Sequence, residues 1–375
     1  MSTYRIKSRS VESNDPGMPE LLASVYGNKE RPFCLCREPN PEMYVAKVNG
    51  RFVIKRMPNT ASEHDLSCES YEPPAELSGL GEVLGSAIQE HVEEGITDLK
   101  LAFSLTRRPW RAAPVPAEGE PDSVTTDGKR LTLRGTLHYL WEQAGFHKWS
   151  PAMSGKRNWY VIRKFLLQAA QAKFAKGQAL NDLLYIPEPF SLEHKDEIVQ
   201  RRTALMAKLA AAAKNRSHSL MMLIAEVKEI SAARYGYKLV AKHLPDFYFT
   251  MNEDIYKRLR NRFERELSLW DATEESHLIL IGTFAVNVTG VASLEESAIM
   301  VVNHEWIPIE HTYDNLLIEK LGAGKRRFAK GLRYNLGSKR PLASVVLSDT
   351  EPTAVAMYIV PPCVFRRCEL TVPTM

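Results

Sequence analysis

Cysteine is scarce in this chain, five among 375 residues, and too sparse to read as a disulfide framework in a reducing compartment. No stretch approaches the ~18–20 uncharged apolar residues of a membrane-spanning helix. The longest apolar runs, Leu220–Ala225 and Leu278–Ile281, have strand length. Residues 1–17 hold no apolar core of a secretory signal. These absences lead us to expect a cytoplasmic protein with no membrane partner. The chain also lacks a Gly-x-Ser-x-Gly elbow, a dinucleotide glycine loop and any internal repeat. Gly324-Lys325 is not a phosphate-binding Walker loop, because the preceding glycine spacing and the following Ser or Thr are missing. Net charge is only +4, from 49 Lys and Arg against 45 Asp and Glu. A nucleic-acid surface must therefore come from local clustering of cations.

What is present suggests an α+β protein: an N-terminal zinc-bound β-hairpin module, a helical middle region and a mixed α/β C-terminal domain. Residues 1–108 comprise a loose lead-in, a Cys/His module and a helix (79–93) followed by a strand (99–105). Residues 109–129, with four prolines and no periodicity, read as a linker. Residues 130–216 read as helical, with helices over 132–144 and 156–176 arranged as a helix-turn-helix unit around Trp149 and Pro151. Residues 217–375 read as mixed strands and helices, with strands expected at 220–230, 278–286 and 297–302, and a helix from Asp254 to Trp270 opened by a Thr250–Glu253 capping box.

The sharpest local pattern is Cys34-Leu35-Cys36 followed by His64 and Cys68. Between the pairs, Met43–Val48 and Arg51–Met57 flank Asn49-Gly50, the dipeptide that supplies positive φ at both centres of a type I′ turn. A hairpin brings its outer ends together and so places both pairs side by side. Thiolates and imidazole suit a tetrahedral zinc, and four protein ligands leave no open position, so the site reads as structural. One helical turn between His64 and Cys68 would aim both inward. The alternative is that the three thiols are buried apolar groups and His64 lies on the surface. Cys363 and Cys368 have no neighbouring histidine and read as buried or free thiols.

Cys34-Leu35-Cys36, Tyr44-Val45-Ala46, Lys55-Arg56-Met57-Pro58, His64, Cys68 and Ser70-Tyr71-Glu72-Pro73-Pro74 resemble an uncharacterised bacterial family, domain of unknown function 1173. Leu77-Ser78-Gly79-Leu80-Gly81 and Trp306-Ile307-Pro308 extend the resemblance over most of the chain. That family is described by three cysteines towards the N-terminus, matched here by Cys34, Cys36 and Cys68. The resemblance implies an association with bacterial plasmids and integrative elements and carries no activity.

Two regions look fit for nucleic acid. On the helix after Ser154, Lys156, Arg157, Tyr160, Arg163 and Lys164 share one arc, with Trp159, Ile162, Phe165, Leu166 and Ala169 opposite. The stretch Lys320–Arg340 carries Lys325, Arg326, Arg327, Lys330 and Arg333 without any Asp or Glu, and Phe328 and Tyr334 are interleaved as rings for base stacking. The helix also reads as an ordinary solvated face, and the Lys320–Arg340 stretch as a solubilising loop or a protein partner site.

Catalysis has one weak candidate. Glu226-Val227-Lys228 ends an apolar strand, and an acid-x-Lys pair with an upstream acid, Glu188, would form a Mg²⁺-dependent nuclease site of restriction-endonuclease type. We therefore expect a non-enzymatic, zinc-containing nucleic-acid-binding accessory protein of a bacterial mobile element. The alternatives are a metal-dependent or degenerate nuclease and a protein-interaction scaffold.

Overall fold

Residues near the N-terminus, expected to be loose, are ordered by pairing. Thr3–Ile6 (β1) and Arg9–Glu12 (β2) form a hairpin turned at Lys7, which has a φ of 55°. Helix Met18–Val25 (α1) covers it, burying Met18, Leu22 and Val25 against Ile6. β1 also pairs with Phe33–Cys34 (β3), Tyr4 opposite Cys34. The hairpin expected next is present: Met43–Val48 (β4) pairs with Arg51–Arg56 (β5), and Val48 faces Arg51 across a two-residue loop whose Gly50 has φ 78°. The computed structural model describes residues 2–28, 30–48, 50–106, 128–214 and 219–360. Nearly all of the expected 109–129 linker, Asn49, Cys363 and Cys368 lie outside the described residues.

The helix expected over 79–93 is a single turn, Leu80–Val83 (α2), followed by strands Ile88–His91 (β6) and Ile96–Leu99 (β7). Glycine explains the difference. Gly85 and Gly95 hold φ of 75° and 68°, which stops the helix and turns the hairpin. Gly79 meets a different constraint: its N–H donates to the Leu332 carbonyl at 2.8 Å, and a Cβ there would sit 2.1 Å from the Arg333 carbonyl oxygen.

Helix Leu133–Gln143 (α3) runs as expected, capped by the Thr132 hydroxyl accepting from Gly135 N at 3.0 Å. It is buried on nearly every side, from Leu133 through Trp141, which marks a central helix. The helix-turn-helix expectation fails here. Trp149 lies in a strand, Lys148–Trp149 (β8), and Asn158 rather than Ser154 caps the next helix, Trp159–Ala169 (α4). That helix ends seven residues early, and Lys173–Ala175 (β9) and Gln178–Ala179 (β10) turn back at Gly177. A single turn, Leu180–Leu183 (α5), leads to Leu184–Tyr185 (β11), and Lys195–Lys214 (α6) crosses over to the next strand.

The following segment closes on itself. Met221–Ala232 (β12) pairs antiparallel with Tyr237–Ala241 (β13), and β13 with Tyr248–Met251 (β14). Helices Glu253–Arg262 (α7) and Glu264–Ala272 (α8) come next, capped by Asn252, whose side chain accepts from Ile255 N at 2.8 Å. Thr250, the expected cap, instead bonds Ser293 Oγ at 2.9 Å. His277–Val286 (β15) pairs antiparallel with both β12 and Ala292–Val302 (β16), and β16 runs parallel to β14. The circle β12-β13-β14-β16-β15 is thus a closed five-stranded barrel with helices between its third and fourth strands, the strand order of an OB-type barrel. β11 lies parallel beside β12, and Pro308–Ile309 (β17) beside β16.

After the barrel, Thr312–Ala323 (α9) leads to a sheet in which Phe328–Lys330 (β18) lies between β8 and Val345–Leu347 (β19), with Val355–Met357 (β20) outside. One hydrophobic core runs from Val83 to Leu347, so the expected divisions near 108, 129 and 216 mark no break in it. The small core of Ile6, Met18, Leu22 and Val25 stands apart.

Buried charge joins α9 to this sheet. Lys330 and Asp314 are both nearly inaccessible and 3.2 Å apart. Burial pushes the Asp314 carboxyl up, with Lys330 pulling against it. Removing one partner leaves the other uncompensated. We expect Asp314→Ala to lower unfolding free energy by about 3–5 kcal/mol in denaturant titration. The double variant Asp314→Ala/Lys330→Met should recover most of that loss.

Candidate metal centre and the buried polar clusters

The four Cys/His side chains converge because two backbone frames meet. Cys34 is held in β3 by Tyr4, its N–H donates to Pro41 O at 2.9 Å, and Leu35 N donates to Thr3 O at 2.9 Å. The lead-in strand therefore fixes the Cys-x-Cys turn. On the other side, His64 follows a 3₁₀ turn, Ala61–Glu63. Asp65 accepts from Ser67 N at 2.9 Å and Ser67 Oγ at 2.6 Å, and Cys68 N donates to Asp65 O at 2.9 Å. An Asp-centred turn, not the expected helical turn, brings His64 and Cys68 to one point.

Cys34 Sγ lies 3.8 Å from Cys68 Sγ. His64 Nδ1 lies 3.4 Å from Cys36 Sγ and 3.7 Å from Cys68 Sγ. All four ligand atoms fall within 4.8 Å of one another. Ligand bonds of ~2.3 Å to sulfur and ~2.0–2.1 Å to nitrogen give tetrahedral edges of about 3.8 Å and about 3.5 Å, so these residues fit a four-coordinate metal ion. Asp65 N and Ser70 N each donate to a cysteine sulfur, Cys36 and Cys68 respectively, at 3.4 Å, an arrangement that favours thiolate. His64 is 1% exposed, against the surface alternative. Burial, and then Arg56, push the His64 imidazole down, which leaves it neutral and able to ligate. In the metal-free chain burial and then Cys68 push the Cys34 thiol up to about 12. A cation among the sulfurs reverses that and deprotonates a coordinating thiol.

Glu72, which the sequence analysis did not single out, couples this module to the rest. It accepts from Lys148 Nζ at 2.8 Å and His147 Nε2 at 3.0 Å, and Arg56 of β5 lies 3.5 Å away. Burial raises its carboxyl, but His147, Lys148 and Arg56 outweigh that and hold it well below the ordinary carboxylate range. The only hint in the sequence was its place in Ser70-Tyr71-Glu72-Pro73-Pro74.

The cationic candidates divide into structural and exposed groups. Arg157 donates to the carbonyls of Phe146 (3.0 Å), Glu305 (3.1 Å) and Lys148, and burial lowers it to about 10. Arg163 donates to Ile186 O at 3.0 Å. Arg326 pairs bidentately with Asp349 at 2.8 and 2.9 Å, Arg333 with Glu310 at 2.6 Å, and Lys330 with Asp314. Phe328 and Tyr334 are fully buried, so the expected stacking rings are core residues. Lys156, Tyr160, Lys164, Lys325 and Arg327 remain on the surface.

The nuclease candidates are also engaged separately. Glu188 forms a bidentate pair with Arg201 at 2.9 and 2.7 Å. Lys228 is exposed at a bulge between Val227 and Glu229. Glu226 is buried and faces His277 Nδ1 at 2.7 Å, Lys242 Nζ at 2.9 Å and His243 Nε2 at 3.4 Å. The His243 ring stacks on Trp159 and the His277 ring on Trp306. Phe190 N donates to His243 Nδ1 at 3.2 Å, which puts that ring's proton on the nitrogen facing Glu226. Among the described residues, no hydrogen bond or ion pair joins Glu188 or Lys228 to Glu226. Glu226 instead anchors the barrel to α4.

Burial raises the Glu226 carboxyl, but the hydrogen bonds from His243, His277 and Lys242 prevail and hold it well below its ordinary value of 4.5. A carboxyl depressed on folding stabilises above the unfolded pKa and loses that contribution as pH falls through the folded one. We expect Glu226→Gln to destabilise the protein near neutral pH by about 1–3 kcal/mol. In denaturant titrations repeated across pH, the gap from the parent should narrow below about 4.5.

No curated protein and no solved structure matches this chain. A family model does match residues 4–368, nearly the whole length. The chain belongs to the DUF1173 family, described as a protein of unknown function.

Proposed function

We propose that this is a zinc-pinned, non-enzymatic nucleic-acid-binding protein that serves as an accessory of a bacterial mobile element. The observation that carries the reading is the closed five-stranded barrel of OB-type strand order. Barrels of this order seat oligonucleotides or oligosaccharides across their second and third strands and the adjoining loops. Fold alone does not assign function. The exposed cations Lys156, Lys164, Lys325 and Arg327 add phosphate-binding charge outside the barrel. The mobile-element context comes from the family resemblance.

Zinc is the metal that best suits the Cys₃His set. Three thiolates and an imidazole at tetrahedral edge lengths match its ligand preference, and the closed shell suits a structural ion. The carboxylate of Asp65, next to His64, is taken up by Ser67 N and Oγ. Ligation energy is folding energy in such a module. The purified protein should carry one zinc per chain by elemental analysis. Cys34→Ser should lose it and expose residues 2–72 to protease, while the core beyond Val83 stays resistant.

Nucleic-acid binding is tested with labelled DNA and RNA, single- and double-stranded, by anisotropy between roughly 50 and 200 mM salt. Binding that weakens with salt, without cleavage in Mg²⁺ or Mn²⁺, is the expected result. No binding at the lowest salt overturns the reading, and cleavage lost in Glu226→Ala replaces it with the nuclease.

A further inference from the structure

We infer that the outer face of β12, β13 and β14, between loops 233–236 and 287–291, is a seat for single-stranded nucleic acid. This rests on the nucleic-acid reading above and gives it a place, a ligand form and named contacts.

The face is defined by register. Leu239, Ala241, Phe249 and Met251 point into the barrel and are buried. Their alternates point outward: Lys238 lies opposite Thr250, and Val240 opposite Tyr248. β12 adds Ser231 opposite Lys238 and Glu229 opposite Val240. The first half of β12 is covered, but from Lys228 onward its residues are exposed or half-buried. Here the barrel emerges from the rest of the molecule.

The two loops flank this face from opposite ends of β14. Loop 233–236 joins β12 to β13, where Tyr237 lies opposite Met251. Gly236 has φ 78°, and a Cβ there would come within 2.3 Å of Met251 O, so the loop is pressed against the end of β14. The start of β16 lies parallel to β14, Ser293 opposite Thr250 and the Thr250 hydroxyl donating to Ala292 O at 3.1 Å, so loop 287–291 leads back toward Tyr248. Asn287 Oδ1 braces the second loop by accepting from Thr289 N (3.0 Å), Thr289 Oγ1 (2.7 Å) and Val291 N (2.9 Å). Both loops are therefore preformed.

Their chemistry suits unstacked bases. Tyr235 at the loop tip is 81% exposed and Tyr248 on the face is 53% exposed. The Arg234 guanidinium lies over the Tyr235 ring at 5.4 Å, and Val288 and Val291 present apolar tips across the face. Lys228, Arg234 and Lys238 supply positive charge; the acids on these strands are Glu229, 3.9 Å from Lys238, and Glu295, two residues along β16 from Ser293, while Asp246 and Glu253, which flank β14, are paired with Lys195 and Lys257. Rings offered beside a few cations match a strand whose bases are free to stack and whose phosphates pass at the edge. A duplex hides its base faces and needs more phosphate contacts than this face supplies. Carbohydrate would be gripped through its hydroxyls, and the cations beside these rings favour an anionic chain.

The test uses the full zinc-loaded chain, a labelled ~20-nucleotide single strand, the matching duplex and an unlabelled neutral oligosaccharide as competitor. Tyr248→Ala and Tyr235→Ala should each weaken single-strand affinity about fivefold or more, since stacking contributes ~1–3 kcal/mol per base. Tyr248→Phe should stay within about twofold, because the ring remains. Tyr358→Ala, an equally exposed ring outside the barrel, should change nothing. The salt slope for the single strand should be shallow, about −2 for two to three phosphate contacts. Thermal melting of the variants should match the parent, because the rings are on the surface. If the parent binds nucleic acid and neither alanine variant weakens it, this face is wrong and the broader reading stands. If the parent binds no nucleic acid, or the oligosaccharide displaces the strand, both fall.

Discussion

Strand β12 is the constraint on which the larger body depends. Its first half bonds to β15 on one edge and, through Met222 and Leu223, to β11 on the other; its second half bonds to β13. A buried strand must satisfy both rows of backbone groups, and here that requirement closes the barrel. The residues Met221–Val227 are buried on both faces, as a strand between a barrel interior and a helical layer must be. Glu226 is the one charge in that buried run. Its three nitrogen partners come from β15 and the segment after β13, so the strand, the barrel's far edge and α4 share a single anchor.

Internal pairing also explains why so modest a net charge gives so little open basic surface. Arg157, Arg163, Arg326, Lys330 and Arg333 satisfy carbonyls or carboxylates within the fold. Arginine forks suit such roles because one planar group can meet several acceptors. The charge-rich stretch Lys320–Arg340 has no acid in sequence, yet its acids arrive from elsewhere: Asp314, Glu310 and Asp349. A sequence window counts charges and cannot see partners more than a helix away.

The hairpin was legible because Asn49-Gly50 flanked by two β-rich runs leaves few alternatives, and the convergence of Cys34, Cys36, His64 and Cys68 followed from it. Strands β15 and β16 and helix α3 were legible from apolar pattern. The β1–β2 hairpin was not, since its short strands have one buried position, Ile6, and their partner lies at Phe33–Cys34. The glycines at 85 and 95 overrode a helical apolar pattern by demanding positive φ. Barrel closure was invisible because it is a matter of which strand bonds to which. Glu72 and the histidines around Glu226 were unreadable for the same reason: each acts only with residues brought together by the fold.

The cap of α3 has a consequence for the time course of synthesis. Thr132 Oγ1 donates to Asn335 Oδ1 at 2.9 Å across 203 residues, and Arg134 reaches the Leu336 carbonyl across 202. Cys34 and Cys68 of the Cys/His cluster are only 34 residues apart. At 5–20 residues per second, the N-terminal module is complete while α3 still lacks its partner, an interval of roughly 10–40 s. During that interval the side chains of Leu137, Leu140 and Trp141 have no finished core to enter. The most deeply buried helix thus waits uncovered on the nascent chain, as does the segment at Gly79, whose N–H bonds Leu332 O. Such long-range contacts also slow folding after release, so the order of assembly runs from a local N-terminal start to a body that closes only near its end.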